Sequence, residues 1–275
     1  MTNSPLITSA ALADQLDQTC VLDCRFSLAD SSAGLSAYRE GHIPGAHYLH
    51  LEEDMSGPKG EHGGRHPLPE PMQFAARIAQ LGVGLDTPVV VYDDSRFAFA
   101  SRAWWMMRSL GYRRVKVLDG GLAAWLGSGG VLSPELPIAE PVAVPSVDSF
   151  QAVLDIEGVR SALAHSAVLV DSREERRYLG LEEPIDPVAG HIPGAVNYPW
   201  QEVTDSEGMA LSGESQAERW AELEPGRDTV VYCGSGVTAC VNLLSMAIAG
   251  FEGARLYAGS WSDWCSYLEN SADGD

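Results

Sequence analysis

Basic side chains and long apolar runs are both scarce in this sequence of 275 residues. Lys and Arg number 18 against 38 Asp and Glu, a formal net charge of −20, so the clustered cations that nucleic-acid phosphates require are missing. No apolar run approaches the roughly 18 residues of a membrane span, and the N-terminal stretch lacks the basic and apolar regions of a signal peptide. We therefore expect a cytoplasmic protein that binds neither nucleic acid nor membranes.

Cysteine is also sparse, and its spacing excludes two common roles. The five cysteines, spread over a long chain, do not form the framework of a disulfide-rich domain. No histidine pair accompanies them at zinc-finger spacing, so we expect no structural zinc ion. A reduced compartment fits these thiols best. The negative net charge also means that an anionic substrate must be drawn in by local cations.

The sequence does contain a thiol at the end of a predicted strand. The stretch TVVYCGSGVTAC begins at Thr229 with an apolar, β-branched run that predicts a buried strand, and a helical pattern begins at Val237. Cys233 ends that strand, at the edge where open α/β sheets bind their ligands. Gly234 and Gly236 let the following N–H groups turn inward as a nest beside the positive end of the helix. Because this setting stabilises a thiolate, we predict that Cys233 is a nucleophile.

The order of predicted elements occurs twice along the chain. The motif His-Ile-Pro-Gly-Ala follows a predicted strand at 42–46 and again at 191–195. Each copy is followed by a second buried strand and then by a glycine turn that leads into a tryptophan-bearing helix. Such a repeat indicates two tandem α/β domains, each with a mainly parallel sheet flanked by helices. The proline-rich stretch 137–146 is typical of a linker, so we predict domains at 1–136 and 147–275.

The two predicted domains differ at the position that follows the second strand. The first domain has Asp93 where the second has Cys233. A carboxylate cannot act as a sulfur nucleophile, so we expect the second domain to be catalytic and the first to build one wall of the site. A cysteine phosphatase is excluded, because it needs an arginine six residues after the cysteine, where Ala239 stands here.

Together these motifs resemble the rhodanese and 3-mercaptopyruvate sulfurtransferase family over nearly the whole chain. The resemblance rests on the paired His-Ile-Pro-Gly-Ala turns and on the loop from Cys233 to Thr238. It implies that a cysteine thiolate takes a sulfane sulfur from a small anionic donor and carries it as a persulfide. The sulfur then passes to cyanide, a thiol or a thioredoxin-like protein. The resemblance implies no metal or organic cofactor.

Within this family the loop after the cysteine separates the donors. Members that use thiosulfate carry basic residues there, because a doubly charged donor needs nearby cations in an acidic protein. Members that use 3-mercaptopyruvate have an uncharged loop, as this chain does at Gly234, Ser235, Gly236, Val237 and Thr238. We therefore predict 3-mercaptopyruvate as the donor, bound at this loop and by Arg177, whose guanidinium can grip a carboxylate.

Removal of sulfur from 3-mercaptopyruvate leaves a pyruvate enolate, which must be protonated. The family resemblance implies a relay of three residues for this step: Ser235 in the loop, His66 in the sequence Gly-Arg-His-Pro-Leu-Pro, and Glu52 after the first His-Ile-Pro-Gly-Ala turn. A histidine that is oriented by a carboxylate and bonded to a serine is effective general acid–base machinery. Arg65 and Arg96 are further cations that could line the cleft.

The sequence leaves two alternatives open. Family members that use 3-mercaptopyruvate carry a second arginine where Ile185 stands here. The motif Arg-Tyr-Leu-Gly, which begins at Arg177, is closer to the sequences of members that use thiosulfate. Thiosulfate is therefore the alternative donor. The other alternative is a non-catalytic rhodanese-like module that only binds partners, in which Cys233 would be an inert core thiol.

Overall fold

The computed structural model describes residues 4–223 and 226–272. The chain divides into two compact units, and each unit contains a segment from the other half of the sequence. Unit 1 consists of the residues up to Ser56, Pro69–Gln151 and Thr204–Ala210. Unit 2 consists of Gly57–Leu68, Ala152–Val203 and the residues from Leu211 onward. Two segments are exchanged in this way: the 57–68 segment belongs to unit 2, and the 204–210 segment belongs to unit 1.

Unit 1 contains a five-stranded parallel sheet. Its strands are β1 (Leu6–Ile7), β2 (Cys20–Asp23), β3 (His47–Tyr48), β4 (Val89–Tyr92) and β5 (Val115–Leu118). Its α-helices are α1 (Ser9–Ala13), α2 (Ala33–Glu40), α3 (Pro71–Gln80), α4 (Ala100–Ser109) and α5 (Gly121–Gly127), and a 3₁₀ helix covers Leu16–Gln18. The order β1-β5-β4-β2-β3 puts β4 in the middle. Its sequence VVVY is buried throughout, as a central parallel strand requires.

Unit 2 repeats this arrangement with a second five-stranded parallel sheet. Its strands are β6 (Val153–Leu154), β7 (Val168–Asp171), β8 (Val196–Asn197), β9 (Thr229–Tyr232) and β10 (Arg255–Tyr257). Its α-helices are α6 (Ile156–Ala164), α7 (Glu175–Tyr178), α8 (Gly213–Arg219), α9 (Ala239–Ala249) and α10 (Ser260–Ala272), and a 3₁₀ helix covers Trp200–Val203. The order β6-β10-β9-β7-β8 makes β9 the middle strand. The expectation of two α/β domains with parallel sheets is confirmed.

The repeated His-Ile-Pro-Gly-Ala turn is tied to the end of each middle strand. In unit 1 the N–H of Ile43 donates to the hydroxyl of Tyr92, the last residue of β4, over 3.2 Å. In unit 2 the N–H of Ile192 donates to the hydroxyl of Tyr232, the last residue of β9, also over 3.2 Å. Because both tyrosines are fully buried, these bonds satisfy polar groups inside each unit. The motif therefore has a structural role in both copies.

Each unit has its own apolar core between the sheet and the helices. In unit 1 the buried cluster consists of Ile7, Leu12, Val21, Ile43, Ala46, Val90, Tyr92, Leu118, Leu122 and Trp125. In unit 2 it consists of Ile156, Val159, Ala162, Leu169, Ile192, Ala195, Val230, Tyr232, Tyr257, Trp261 and Cys265. In the two helices that follow the glycine turns, Trp261 takes the place of Leu122, and Trp264, which corresponds to Trp125, is partly buried against the core of unit 2.

Local sequence signals account for the ends of several helices. The side chain of Thr8 accepts the N–H of Ala11 and caps α1, and Asp155 accepts the N–H of Gly158 and caps α6. α9 ends at Ala249, and the next residue, Gly250, caps it in the left-handed conformation with φ +75°. None of the helices in the described part of the chain is long and apolar enough to cross a membrane.

Candidate active site

Cys233 directly follows the middle strand of unit 2. Because β9 lies between β10 and β7, its carboxyl end opens at the centre of the sheet edge, where parallel sheets bind ligands. The loop from Gly234 to Thr238 then leads into α9. Gly236 has φ +74°, and a Cβ there would overlap with the carbonyl oxygen of Ala258, so the position requires glycine. The structure thus places Cys233 as the sequence predicts, with only 1% of its surface exposed.

The first turn of α10 fixes the backbone on both sides of the thiol. The N–H of Cys233 donates to the hydroxyl of Ser260 over 3.1 Å. The carbonyl of Cys233 accepts the N–H of Trp261 over 3.0 Å, and the carbonyl of Gly234 accepts the N–H of Ser262 over 2.9 Å. Ser260 itself has φ +58°, a left-handed conformation that costs free energy for a residue other than glycine. Strained backbone conformations of this kind cluster at active sites and ligand-binding sites.

The 57–68 segment brings His66 to the loop that follows Cys233. Nδ1 of His66 lies 2.8 Å from the hydroxyl of Ser235, and both residues are buried. The N–H of Gly63 donates to the carboxylate of Asp263 over 2.7 Å, which anchors the segment to α10. The histidine and serine of the predicted relay are therefore in direct hydrogen-bond contact.

Two arginines lie next to Gly234. The guanidinium of Arg177 bonds to Glu183 over 2.6 Å and to Asp186 over 3.0 Å. Asp186 also forms an ion pair with Arg65, which follows Gly64 in the 57–68 segment. Burial lowers the pKa of the Arg65 guanidinium; the nearby Cys233 thiol opposes that change, and the like charge of Arg177 adds to it. The structure thus brings Arg177 to the loop, and its role in binding the donor stays a prediction.

Arg65 is a site residue that its local sequence does not single out. The sequence predicts only that Arg65 and Arg96 are cations that could line the cleft, and the two arginines have different surroundings. Arg96 lies in unit 1, where its guanidinium bonds to the hydroxyl of Thr204 and to the carbonyl of Asp205 in the 204–210 segment. The only signal that could have singled out Arg65 is its position directly before His66.

Glu52 belongs to unit 1. It follows Leu51 in a turn, is exposed, and its N–H donates to Nδ1 of His50 over 3.1 Å. Its place in the predicted relay therefore stays a prediction. Of the two remaining loop residues, Val237 is buried, and Thr238 is the half-buried residue before the first turn of α9.

In unit 1 the equivalent loop is filled by its own carboxylate. Asp93 follows β4 as Cys233 follows β9, and its two oxygens accept four backbone N–H groups, from Ser95, Phe97, Phe99 and Ala100, over 2.8–3.1 Å. Burial raises the pKa of Asp93, and these four bonds oppose that change. The loop after the middle strand can therefore cradle an anion, and in unit 1 that anion is built in.

The arrangement in unit 2 is suited to nucleophilic chemistry at sulfur. It combines a held thiol, an imidazole–hydroxyl pair and two guanidinium groups around one loop. Among the residues that the structure describes, no group of three or more His, Cys, Asp or Glu side chains is placed to hold a metal ion. Cys240, the nearest other thiol along the chain, is fully buried in α9.

Known proteins share both the fold and the repeat. A family model described as "Rhodanese-like domain" matches the chain twice, at residues 8–128 and 156–267. A probable 3-mercaptopyruvate sulfurtransferase of Pseudomonas aeruginosa is 44% identical over 273 residues, 96% of each chain. A putative thiosulfate sulfurtransferase of Mycobacterium tuberculosis is 38% identical over 271 residues, 95% of this chain and 94% of the relative. A solved 3-mercaptopyruvate sulfurtransferase from Leishmania major matches with a TM-score of 0.87 and 27% identity, over 98% of this chain and 76% of that chain.

The fold and the thiol loop define a two-domain sulfurtransferase, and the relatives that match along nearly the full chain carry that name. This chain belongs to the rhodanese-like family. The family expected from the paired turns and the Cys233 loop is thereby confirmed. Both donor types occur among the names of the relatives.

Proposed function

We propose that the chain moves the sulfur atom of 3-mercaptopyruvate, as the outer sulfur of a persulfide on Cys233, to a thiophilic acceptor. The thiolate of Cys233 attacks the sulfur of the donor, a sulfur–sulfur bond forms, and the carbon–sulfur bond breaks with its electron pair left on carbon. The products are a persulfide and the enolate of pyruvate. Cyanide, a thiol or a thioredoxin-like protein then attacks the outer sulfur, and the thiolate of Cys233 is released.

The hydrogen bond between His66 and Ser235 is the observation that carries the choice of donor. The pyruvate enolate needs a proton at carbon, whereas thiosulfate would leave sulfite, which needs none. An imidazole bonded to a hydroxyl, 2.8 Å apart and next to the nucleophile, is suited to deliver that proton. Glu52 is the proposed carboxylate of the relay, on the strength of the family resemblance. The uncharged loop supports the same donor.

Thiosulfate is the second candidate donor because of Arg65. A dianion in a protein of net charge −20 needs cations at the site itself. The pair formed by Arg65 and Arg177 beside Gly234 supplies two, although the loop residues supply none. The Mycobacterium tuberculosis relative is named for thiosulfate. The two donors therefore have to be compared directly.

The decisive experiment is a side-by-side steady-state assay with cyanide as acceptor. We expect kcat/KM for 3-mercaptopyruvate to exceed that for thiosulfate. Cys233→Ser should abolish transfer from both donors, and mass spectrometry of the wild-type protein treated with donor alone should find one extra sulfur on Cys233. A preference for thiosulfate would replace the proposed donor. Activity in the Cys233→Ser variant would refute the mechanism. So would a wild-type protein that is inactive with both donors.

We also propose a setting and a domain boundary. The five cysteines are free thiols, which supports a reduced, cytoplasmic compartment. Residues 137–146 contain no helix or strand and are largely exposed, which supports a linker between domains 1–136 and 147–275. The small anionic donor and the acceptor are the partners that this proposal requires.

A further inference from the structure

Two guanidinium groups in unit 2 bond to the carboxylate of Asp186 and also lie beside Gly234, and that of Arg177 bonds to Glu183 as well. Nη1 of Arg65 and Nη2 of Arg177 bond to Asp186, one to each carboxylate oxygen. Nη2 of Arg65 and Nη1 of Arg177 lie beside Gly234, where a Cβ would be 3.0 Å and 3.5 Å from them, and Nη2 of Arg177 would be 3.6 Å away. Neither Nη2 of Arg65 nor Nη1 of Arg177 makes a hydrogen bond with any residue in 4–223 or 226–272. Two donors thus converge on the residue that follows Cys233.

The charges behind this pair form an alternating chain. Ion pairs connect, in order, Arg65, Asp186, Arg177, Glu183, Arg173 and Asp171. Three cations and three anions give this cluster a formal charge of zero. The side chain of Asp186 is 1% exposed and that of Arg177 13%, whereas that of Arg65 at the outer end is 27% exposed. Water therefore screens the inner charges weakly.

We propose that Arg65 and Arg177 together hold the anionic group of the donor beside Gly234, and that Asp186 sets the charge of this site in favour of a monoanion over a dianion. The inference rests on the proposed sulfur transfer and specifies how its donor is selected. Arg65 supplies the second guanidinium that the sequence lacks at Ile185. Asp186 contacts the arginines rather than the donor, so it is a charge-setting and positioning residue.

The selectivity follows from the number of charges that each donor brings. 3-Mercaptopyruvate adds one negative charge to a neutral cluster, and thiosulfate adds two. Each added charge interacts with the nearby carboxylate of Asp186, so its repulsion acts twice as strongly on thiosulfate. Without Asp186 the cluster would carry one net positive charge, and the dianion would gain more than the monoanion.

Two substitutions change the cluster charge in opposite directions. Asp186→Asn leaves it at +1, and Arg65→Gln leaves it at −1. We expect the ratio of kcat/KM for thiosulfate to kcat/KM for 3-mercaptopyruvate to rise about tenfold in the first variant and to fall about tenfold in the second, which corresponds to about 1.4 kcal/mol in each case. Inhibition by sulfate relative to pyruvate should shift in the same directions, because these anions bind without reacting.

The matched control is Glu182→Gln. Glu182 is an exposed residue of the loop between α7 and β8, which also carries Asp186, and it pairs with Arg176 at the surface. Its substitution by glutamine changes the net charge of the protein by one unit, as Asp186→Asn does. We expect its donor ratio to stay within about twofold of wild type. An unchanged ratio in either folded variant, or shifts in the same direction in both, would overturn the inference. If Asp186→Asn does not fold, Arg65→Gln decides alone, since its side chain is partly exposed.

Failure of the inference is distinguishable from failure of the proposed function. If the wild-type protein transfers sulfur but its variants keep the donor ratio, only the charge account is refuted. If the wild-type protein transfers sulfur from neither donor, the function is refuted, and the anion site is then measured by the protection that sulfate and pyruvate give Cys233 against iodoacetamide. Protection that does not respond to Arg65→Gln would refute the site as well.

Discussion

A single hydroxyl next to the nucleophile separates the two candidate donors at the scale of residues. Ser235 belongs to the uncharged loop that follows Cys233, and its hydroxyl is bonded to His66 of the 57–68 segment. Both donors need the thiolate, but only the carbon leaving group of 3-mercaptopyruvate needs a proton. The serine and the cysteine therefore have different kinetic signatures.

Ser235→Ala should lower kcat for 3-mercaptopyruvate by about a hundredfold, the lower range of general acid–base contributions, and kcat for thiosulfate by less than about threefold. The reason is that the substitution removes the hydroxyl bonded to His66 and leaves the thiol in place. Steady-state kinetics with both donors measures the difference.

The control for Ser235→Ala is Ser266→Ala. Ser266 is also bonded to a histidine of the 57–68 segment, with its hydroxyl 2.7 Å from Nδ1 of His62, but that pair is exposed. Its removal should leave both donors unaffected. Equal losses for the two donors in Ser235→Ala would contradict the relay.

At the scale of elements, the first turn of α10 holds the nucleophile. Ser260→Ala should lower kcat/KM for both donors by a similar factor and destabilise the protein by about 1–2 kcal/mol, because the N–H of Cys233 loses its buried acceptor. Kinetics with both donors and thermal unfolding provide the measurements.

Ser260→Gly is the matched variant. It loses the same acceptor but relieves the left-handed conformation, so it should be more stable than Ser260→Ala. Gly121 shows that glycine suits this place, since it occupies the corresponding position in unit 1 with φ +55°. Unequal effects on the two donors would contradict a shared positioning role.

Elements with a long local pattern were predictable, and short ones were not. The β-branched run from Thr229 is a strand as predicted, and β9 differs from that run only by Cys233, which follows it. β1, β3, β6 and β8 have two residues each, too few to show any period, and they exist because longer strands offer them a partner.

The same distinction applies to the candidate site. The loop after Cys233 is contiguous in sequence, so its glycines and its small residues already indicate its geometry. The contact of Arg65 with Asp186 joins residues far apart in sequence, and no periodicity or turn signal reports it. Tertiary packing of the 57–68 segment on α10 determines this contact.

At the scale of the whole molecule, the net charge of −20 opposes every anionic donor. Raising the ionic strength from about 0.01 M to about 0.15 M shortens the Debye length from about 30 Å to about 8 Å. We expect kcat/KM to rise for both donors, and more for thiosulfate because it carries twice the charge. Alkylation of Cys233 by neutral iodoacetamide is the control and should not respond. A uniform fall in two different salts would contradict this field effect.

The exchanged 57–68 segment constrains how this gene can change. The first half of the sequence carries Arg65 and His66, which fold into the unit that carries Cys233. A deletion of that half, or a split at the linker, is therefore expected to take the proposed donor site apart.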